Sequence, residues 1–155
     1  MTATQTDDDL LIVRSFDAPA ALIFRLWTDP AHFRRWIGPK EFECIETAID
    51  LRVGGAYHAV IRSPGTGDSR FSGVYREIEP NRRLVFTFAW HEGPAAGVET
   101  LVTILLEERD GRTTQTFHQA PFLKAEHRDS HRGGWNSTFD RLADYAITQR
   151  RQDQR

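Results

Sequence analysis

The sequence predicts an α+β domain: a curved antiparallel sheet of about six to seven strands, with a long C-terminal helix over its concave face. Three observations support this class. Apolar and polar residues alternate through much of residues 42–119, which is the period of strands. Two short helical segments follow the first strand, and one long segment near the C-terminus has helical spacing. Strands joined by short turns form an apolar face that a helix can cover.

The first third of the chain is predicted to form one strand and a corner of two short helices. The strand is the apolar run at residues 10–16, and Pro19 follows in the first turn of the first helix, where a missing N–H has no consequence. The apolar stripe of that helix consists of Leu22, Ile23, Leu26 and Trp27. Residues 28–30 end this helix and begin the second, which Gly38-Pro39 stops.

The middle of the chain is predicted to form the rest of the sheet. The predicted strands are residues 42–53, 57–62, 71–79, 84–90, 98–107 and 113–119. Turn-forming residues separate them, among them the 63–68 loop and the Asp110-Gly111 hairpin turn. One strand carries four large side chains on a single face, which we expect to meet the core: Leu84, Phe86, Phe88 and Trp90.

The last long segment, from Leu123 to Arg150, is predicted to be a helix. Its apolar residues fall on one stripe: Trp135, Phe139, Leu142, Ala143 and Ala146. Gly133 and Gly134 interrupt the pattern, and each costs a helix roughly 1 kcal/mol relative to alanine. We interpret them as leaving room beneath the helix for a neighbouring backbone or for a ligand.

Length and composition indicate one domain, at residues 9–150, between a disordered tail at 1–8 and a frayed tail at 151–155. The single cysteine, Cys44, excludes an internal disulfide and favours a reducing compartment. With no secretory or membrane-spanning pattern in the sequence, we expect a cytoplasmic protein without membrane insertion. The net charge of −2, with both signs mixed, gives no basic footprint for nucleic acid.

Seven short motifs occur in order over most of the chain. They are Phe16-Asp17-Ala18-Pro19, Thr28-Asp29-Pro30, Trp36-Ile37-Gly38-Pro39, Asp50-Leu51-Arg52-Val53-Gly54-Gly55, Gly73-Val74-Tyr75-Arg76-Glu77-Ile78, Arg83-Leu84-Val85-Phe86-Thr87 and Gly133-Gly134-Trp135. This pattern resembles the START-like superfamily, also called SRPBCC. Within it, the chain is most similar to the branch named after the activator of a heat-shock-protein ATPase, near the polyketide cyclases. The resemblance implies a helix-grip fold with a deep, mostly apolar pocket between sheet and C-terminal helix, and no fixed catalytic set.

Aromatic side chains are the first candidates for lining such a pocket. The predicted faces bring together Trp36 at the end of the short helices, Phe88 and Trp90 on the sheet, and Trp135 and Phe139 on the long helix. The competing interpretation is plain core packing. Tyr75 is a further candidate, because its hydroxyl would orient a ligand if the side chain points inward rather than to the outer surface.

Histidines are the second set of candidates. His58 and His118 lie within predicted strands and His91 at a strand end, where an imidazole serves either as an acid or base or as a structural surface group. His127 and His131 are four residues apart on the long helix, which suits a metal, but no third ligand motif accompanies them. We therefore interpret them as solvated helix residues and predict no metal and no cofactor.

Two classes of function remain open. The first is a binding module that holds a small apolar or aromatic molecule in the cavity. The second is an enzyme of the cyclase or hydratase kind, in which the same pocket places a carbonyl beside a histidine or tyrosine. We favour the binding module, since the sequence offers no acid and base pair at a spacing that is typical of a catalytic site. A co-chaperone role is implied only by the name of the family branch. Exposed strand edges make a homodimer a further expectation.

Overall fold

The computed structural model describes residues 9–154, and its elements follow the predicted order. The strands are β1 (Leu10–Phe16), β2 (Glu43–Ile49), β3 (Ala56–Ser63), β4 (Gly67–Glu79), β5 (Arg83–Trp90), β6 (Thr100–Arg109) and β7 (Arg112–Ala120). The helices are α1 (Ala20–Thr28), α2 (Pro30–Phe33) and α3 (Ala125–Asp153). The predicted tail at 1–8 lies outside the described residues.

The strands form one seven-stranded antiparallel sheet in the order β1-β7-β6-β5-β4-β3-β2. Strands β2 to β7 form a meander, and β1 adds to its far edge beside β7. The hairpin between β6 and β7 turns at Asp110 and Gly111, with φ values of 54° and 78°, which is the left-handed geometry of a tight two-residue turn. The predicted α+β class and its meander are confirmed.

The predicted strand at 42–53 is too long, because β2 ends at Ile49. Leu51 and Val53 lie in a turn and are 41% and 63% exposed. The turn packs against β4, since the Gly54 N–H donates to the Tyr75 carbonyl at 2.8 Å and the Tyr75 N–H donates to the Gly55 carbonyl at 3.0 Å. The alternation of apolar residues therefore extends beyond the end of β2, into a turn that hydrogen bonds to the backbone of β4 hold in place.

Several other boundaries differ from the prediction. Helix α2 ends at Phe33, before the predicted stop at Gly38-Pro39, and β6 spans residues 100–109 instead of 98–107. Pro19 lies just before α1, as its N-cap, with extended backbone angles, instead of in the first helical turn. Strand β4 begins at Gly67, because Gly67 pairs with Ser63 of β3 and the loop between them is shorter than predicted. These differences are local and leave the order of elements unchanged.

The core lies between the concave face of the sheet and the C-terminal part of α3. At its centre Trp27 of α1 meets Trp36 edge to face, with ring centroids 4.7 Å apart, and Phe139 of α3 at 6.1 Å. Phe117 of β7 lies 5.3 Å from Phe139. The corner formed by α1 and α2 thus fills one end of the space beneath α3.

Ion pairs hold α3 along β1 and α1. Asp140 accepts from Arg14 at 2.7 Å, Arg150 donates to Asp17 at 2.6 Å, and Arg25 donates to Asp153 at 2.9 Å. The last of these pairs lies beyond the predicted helix end at Arg150, because α3 continues to Asp153, within the stretch predicted to be frayed. No helix within residues 9–154 is long and apolar enough to cross a membrane.

Candidate ligand-binding cavity

A cavity of about 550 Å³ lies at the other end of the space beneath α3, and this size is in the usual range for small-molecule sites. Its walls come from four parts of the chain: the loop after α2, the β3–β4 hairpin, the end of β5 with the following loop, and the N-terminal half of α3. The lining includes Gly38, Pro39, Phe42, Ile61, Thr66, Ser69, Phe71, Phe88, Trp90, Glu92, His127, Ser130, His131, Gly134 and Trp135.

The lining changes from apolar at the floor to polar at the rim. Ile61, Phe71 and Phe88 at the floor are each 3% exposed. Glu92 and Ser130 at the rim are exposed side chains on opposite walls, one in the loop after β5 and one on α3. A molecule that enters the cavity therefore places its apolar part inward and its polar part at the rim.

Aromatic rings form much of the floor. Phe71 and Phe88 stack with centroids 4.8 Å apart and planes 24° apart. Trp90 meets both rings edge to face, each at 5.4 Å, and Trp135 of α3 lies 6.1 Å from Phe88. Stacked and edge-to-face pairs are the arrangements that rings prefer, so the floor presents a rigid aromatic surface.

Hydrogen bonds fix the two tryptophans in the wall. Trp90 Nε1 donates to His131 Nε2 at 2.9 Å, and Trp135 Nε1 donates to Gln119 Oε1 at 2.9 Å. His131 Nδ1 lies 3.2 Å from the same Gln119 oxygen. Because Nε2 accepts a hydrogen bond from Trp90, the neutral ring carries its proton on Nδ1, and this N–H donates a hydrogen bond to Gln119.

Gln119 completes this network on the sheet side. Its amide nitrogen donates to Thr100 Oγ1 at 2.9 Å, and the Thr100 hydroxyl donates to the Phe88 carbonyl at 3.2 Å. Burial, with a smaller contribution from His127, lowers the pKa of His131 from 6.5 to about 4. The cavity wall therefore contains a neutral imidazole at neutral pH, with both nitrogens bonded to protein.

The predicted aromatic candidates divide between cavity and core. Phe88, Trp90 and Trp135 line the cavity. Trp36 and Phe139 are fully buried in the core, where Trp36 Nε1 donates to the Leu26 carbonyl at 3.0 Å. Tyr75 points inward but is also a core residue, 5.5 Å from Tyr57, and burial raises the pKa of its hydroxyl.

The predicted histidine candidates His58 and His118 do not reach the cavity. His58 Nε2 lies 2.9 Å from Glu46 on the outer face, and His118 Nε2 lies 3.1 Å from Asp9. Side chains alternate along a strand, and the buried neighbours Tyr57 and Phe117 take the inward positions. Placing these two histidines in the pocket was therefore wrong. His91 is exposed as well and bonds Ser72 at 2.7 Å.

The prediction missed His131, Gln119 and Phe71, and interpreting His131 as a solvated residue was wrong. A signal was present, because His131 precedes Trp135 by one helical turn and so shares its face. Gln119 and Phe71 lie at inward positions of their strands. A lone glutamine in a strand gives no sign in the sequence that it bonds a tryptophan and a histidine of the long helix. Within residues 9–154 no group of three or more His, Cys, Asp or Glu side chains is arranged to hold a metal.

The two helix glycines were expected to admit a neighbouring backbone or a ligand. A Cβ built on Gly133 meets nothing within 4 Å, and one built on Gly134 meets only Pro39 Cγ, at 3.7 Å. No backbone therefore approaches either glycine closely. Gly134 borders the cavity, and of the two alternatives the room for a ligand is the one that fits.

Comparison with known proteins places this chain in a family. The model of the family described as "Activator of Hsp90 ATPase homolog 1-like protein" matches residues 17–146. The chain belongs to this family. No curated protein matches it in the sequence comparison.

Solved structures of similar proteins share the helix-grip fold of this chain. A protein from Chromobacterium violaceum is 24% identical, with a TM-score of 0.80 over 91% of this chain and 98% of that one. The AHSA1 protein from Silicibacter pomeroyi is 23% identical, with a TM-score of 0.81 over 91% and 99%. DynU16, from the dynemicin biosynthetic locus, is 23% identical, with a TM-score of 0.75 over 94% of this chain and 49% of that one. The START-like fold predicted from the sequence is thereby confirmed.

Proposed function

We propose that this protein binds a small apolar or aromatic molecule in the cavity beneath the N-terminal half of α3. One observation carries the proposal: a space of about 550 Å³ stays open above a floor of buried rings. Apolar side chains that line a cavity make fewer packing contacts than those in a filled core. A ligand that fills this space restores those contacts and binds the folded state only.

The fixed wall supports the proposal. Trp90 and Trp135 are held by His131 and Gln119, so neither ring is free to turn into the space. A preformed surface binds a ligand without the entropic cost of ordering its side chains. The cavity is therefore better explained as a binding surface than as a packing defect that relaxation would remove.

A thermal-shift screen of uncharged aromatic and lipid-like compounds tests the proposal. A ligand raises the melting temperature in proportion to the logarithm of its concentration, because it binds only the folded state. Ser69→Trp introduces an indole from β4 into the cavity and should weaken binding by about tenfold or more. Ser72→Trp, on the outer face of the same strand, is the matched control and should bind as the wild type does. Unchanged binding by Ser69→Trp would place the ligand elsewhere.

The enzyme alternative, of the cyclase or hydratase kind, rests on the presence of His131 in the wall and on the structural likeness to DynU16. Proton transfer needs an imidazole nitrogen that the substrate can reach. Both nitrogens of His131 are bonded to protein, which favours binding over turnover. Conversion of a bound carbonyl compound by the wild type, and its loss in His131→Gln, would support the enzyme instead.

Two further proposals concern the cellular location and the oligomeric state of this protein. We propose a cytoplasmic location, supported by the buried and unpaired Cys44. We also propose a homodimer formed through a sheet edge, since β1 and β2 are the two edge strands of the sheet. Light scattering on the purified chain tests the dimer, and a monomer at all concentrations would contradict it.

A further inference from the structure

The charges around the cavity narrow the kind of molecule that fits it. Among the described residues that line the space, Glu92 is the only acidic side chain, and neither lysine nor arginine is present. His131, the more buried of the two lining histidines, is neutral at neutral pH, because its pKa is lowered. The lining therefore has no fixed positive charge to receive a carboxylate or a phosphate.

Glu92 is held in place at the rim. Its Oε1 accepts the Arg70 backbone N–H at 2.6 Å, which orients the carboxylate. Its second oxygen, Oε2, has no hydrogen bond to any of the residues that the structure describes. A carboxylate oxygen without a partner is an acceptor for a hydroxyl or ammonium group and repels another anion.

We infer that the ligand is an apolar, ring-containing molecule whose polar end donates a hydrogen bond to Glu92, as a hydroxyl or an ammonium group does, and is not an anion. The change from an apolar floor to a polar rim orients such a molecule, with its rings against Phe71 and Phe88 and its hydrogen-bond donor at the rim. His127 and Ser130 lie on the opposite wall of the rim and offer further hydrogen-bonding partners. This inference rests on the proposed function and adds the ligand's charge and orientation.

Three ligands of one shape test the inference: naphthol, naphthylmethylamine and naphthoate, each substituted at the same ring position. Affinities are measured by calorimetry at about pH 7, where the first is neutral, the second cationic and the third anionic. We expect naphthol and the amine to bind about tenfold more tightly than naphthoate, and the preference of the amine over naphthoate to shrink at high salt.

Glu92→Gln keeps an oxygen for the Arg70 N–H but removes the charge, so it should reduce the preference over naphthoate by about threefold or more. Glu99→Gln removes the same charge from an exposed position that does not line the cavity, and should leave the preference unchanged. Naphthoate binding as tightly as naphthol in the wild type, or an unchanged preference in Glu92→Gln, would overturn the inference and leave the cavity proposal standing. If none of the three binds and the wider screen also fails, the proposed function falls and the inference falls with it.

Discussion

Two glutamines on the inward face of β7, Gln115 and Gln119, are both fully buried but differ in their hydrogen bonds. Gln119 bonds with both ends of its amide, accepting from Trp135 and donating to Thr100. Gln115 accepts from Trp27 Nε1 at 2.8 Å, while its amide nitrogen has no hydrogen-bond partner among residues 9–154. A buried donor without a partner costs about 1–3 kcal/mol, so the two residues contribute differently to stability.

This contrast predicts different costs for the same substitution. Gln119→Leu leaves the N–H groups of Trp135 and His131 without an acceptor, and should lower the free energy of unfolding by roughly 2–4 kcal/mol. Gln115→Leu also leaves one indole N–H without an acceptor, but it removes the unpaired amide. The free energy of unfolding should therefore change by no more than about 1 kcal/mol. Urea unfolding of the two variants measures the difference, and equal losses would contradict the hydrogen-bond assignment.

The pKa of His131 predicts how stability depends on pH. Its pKa is about 4 in the folded protein and 6.5 as a free side chain, so the unfolded chain binds the extra proton between these values. The contribution is complete above about pH 6.5 and is lost as the pH falls toward 4, to a total of roughly 3 kcal/mol.

The measurement is the free energy of unfolding at about pH 7 and at about pH 4.5. His131→Gln should lose less stability on acidification than the wild type does, by roughly 2 kcal/mol. His91→Gln, which removes an exposed imidazole, is the control for the loss of one histidine. Equal acid sensitivity of wild type and His131→Gln would show that the imidazole is not buried.

At the scale of elements, α3 consists of two parts with different surroundings. From Trp135 onward the helix buries Phe139, Leu142 and Ala146 in the core. Residues 125–134 bury no large apolar side chain and instead cover the cavity. Arg141 joins the two regions, because it donates to the carbonyls of Gly38 at 2.8 Å and Phe42 at 3.1 Å in the loop that lines the opposite wall.

The glycine pair at this boundary predicts a separation of stability from binding. Gly133→Ala meets open space and should raise the free energy of unfolding by about 0.5–1 kcal/mol, because alanine loses less backbone entropy in a helix. Gly134→Ala should stabilise the protein by a similar amount but weaken ligand binding, since its methyl group borders the cavity near Pro39. Urea unfolding and calorimetry measure the two effects. Equal binding by both alanine variants would exclude the ligand from this wall.

At the scale of the whole molecule, the sequence determines the fold more clearly than the cavity. The period-two alternation and the helical stripe of α3 are repeated signals, and they predict the order of the elements. Strand ends are weaker signals, as the exposed Leu51 and Val53 show. Their pattern is that of a strand, but hydrogen bonds from β4 hold the segment as a turn.

The cavity depends on contacts between distant segments, which a single sequence encodes only in part. Phe88, Trp90 and Trp135 were predictable, because each lies on an inward face that periodicity defines. Whether an inward ring lines the cavity or fills the core depends on what lies above it. Phe139 is only four residues from Trp135 but packs beneath the part of α3 where Trp27 fills the space.

The rim of the cavity brings together segments that are far apart in sequence, and this predicts a shared response to ligand. The loop at 38–42, the loop at 91–97 and residues 125–134 of α3 each contribute residues to the lining of the cavity. Few apolar contacts bury them, so their backbone amides should exchange with solvent faster than those of residues 138–150.

A bound ligand contacts all three segments at once and should slow their exchange together. The β6–β7 hairpin at 109–112 is equally exposed but lies away from the cavity, so its exchange should not change. Hydrogen exchange followed by mass spectrometry, with and without a ligand from the screen, measures both. Slowing that is confined to one of the three segments, or that spreads to the hairpin, would contradict binding in the cavity between them.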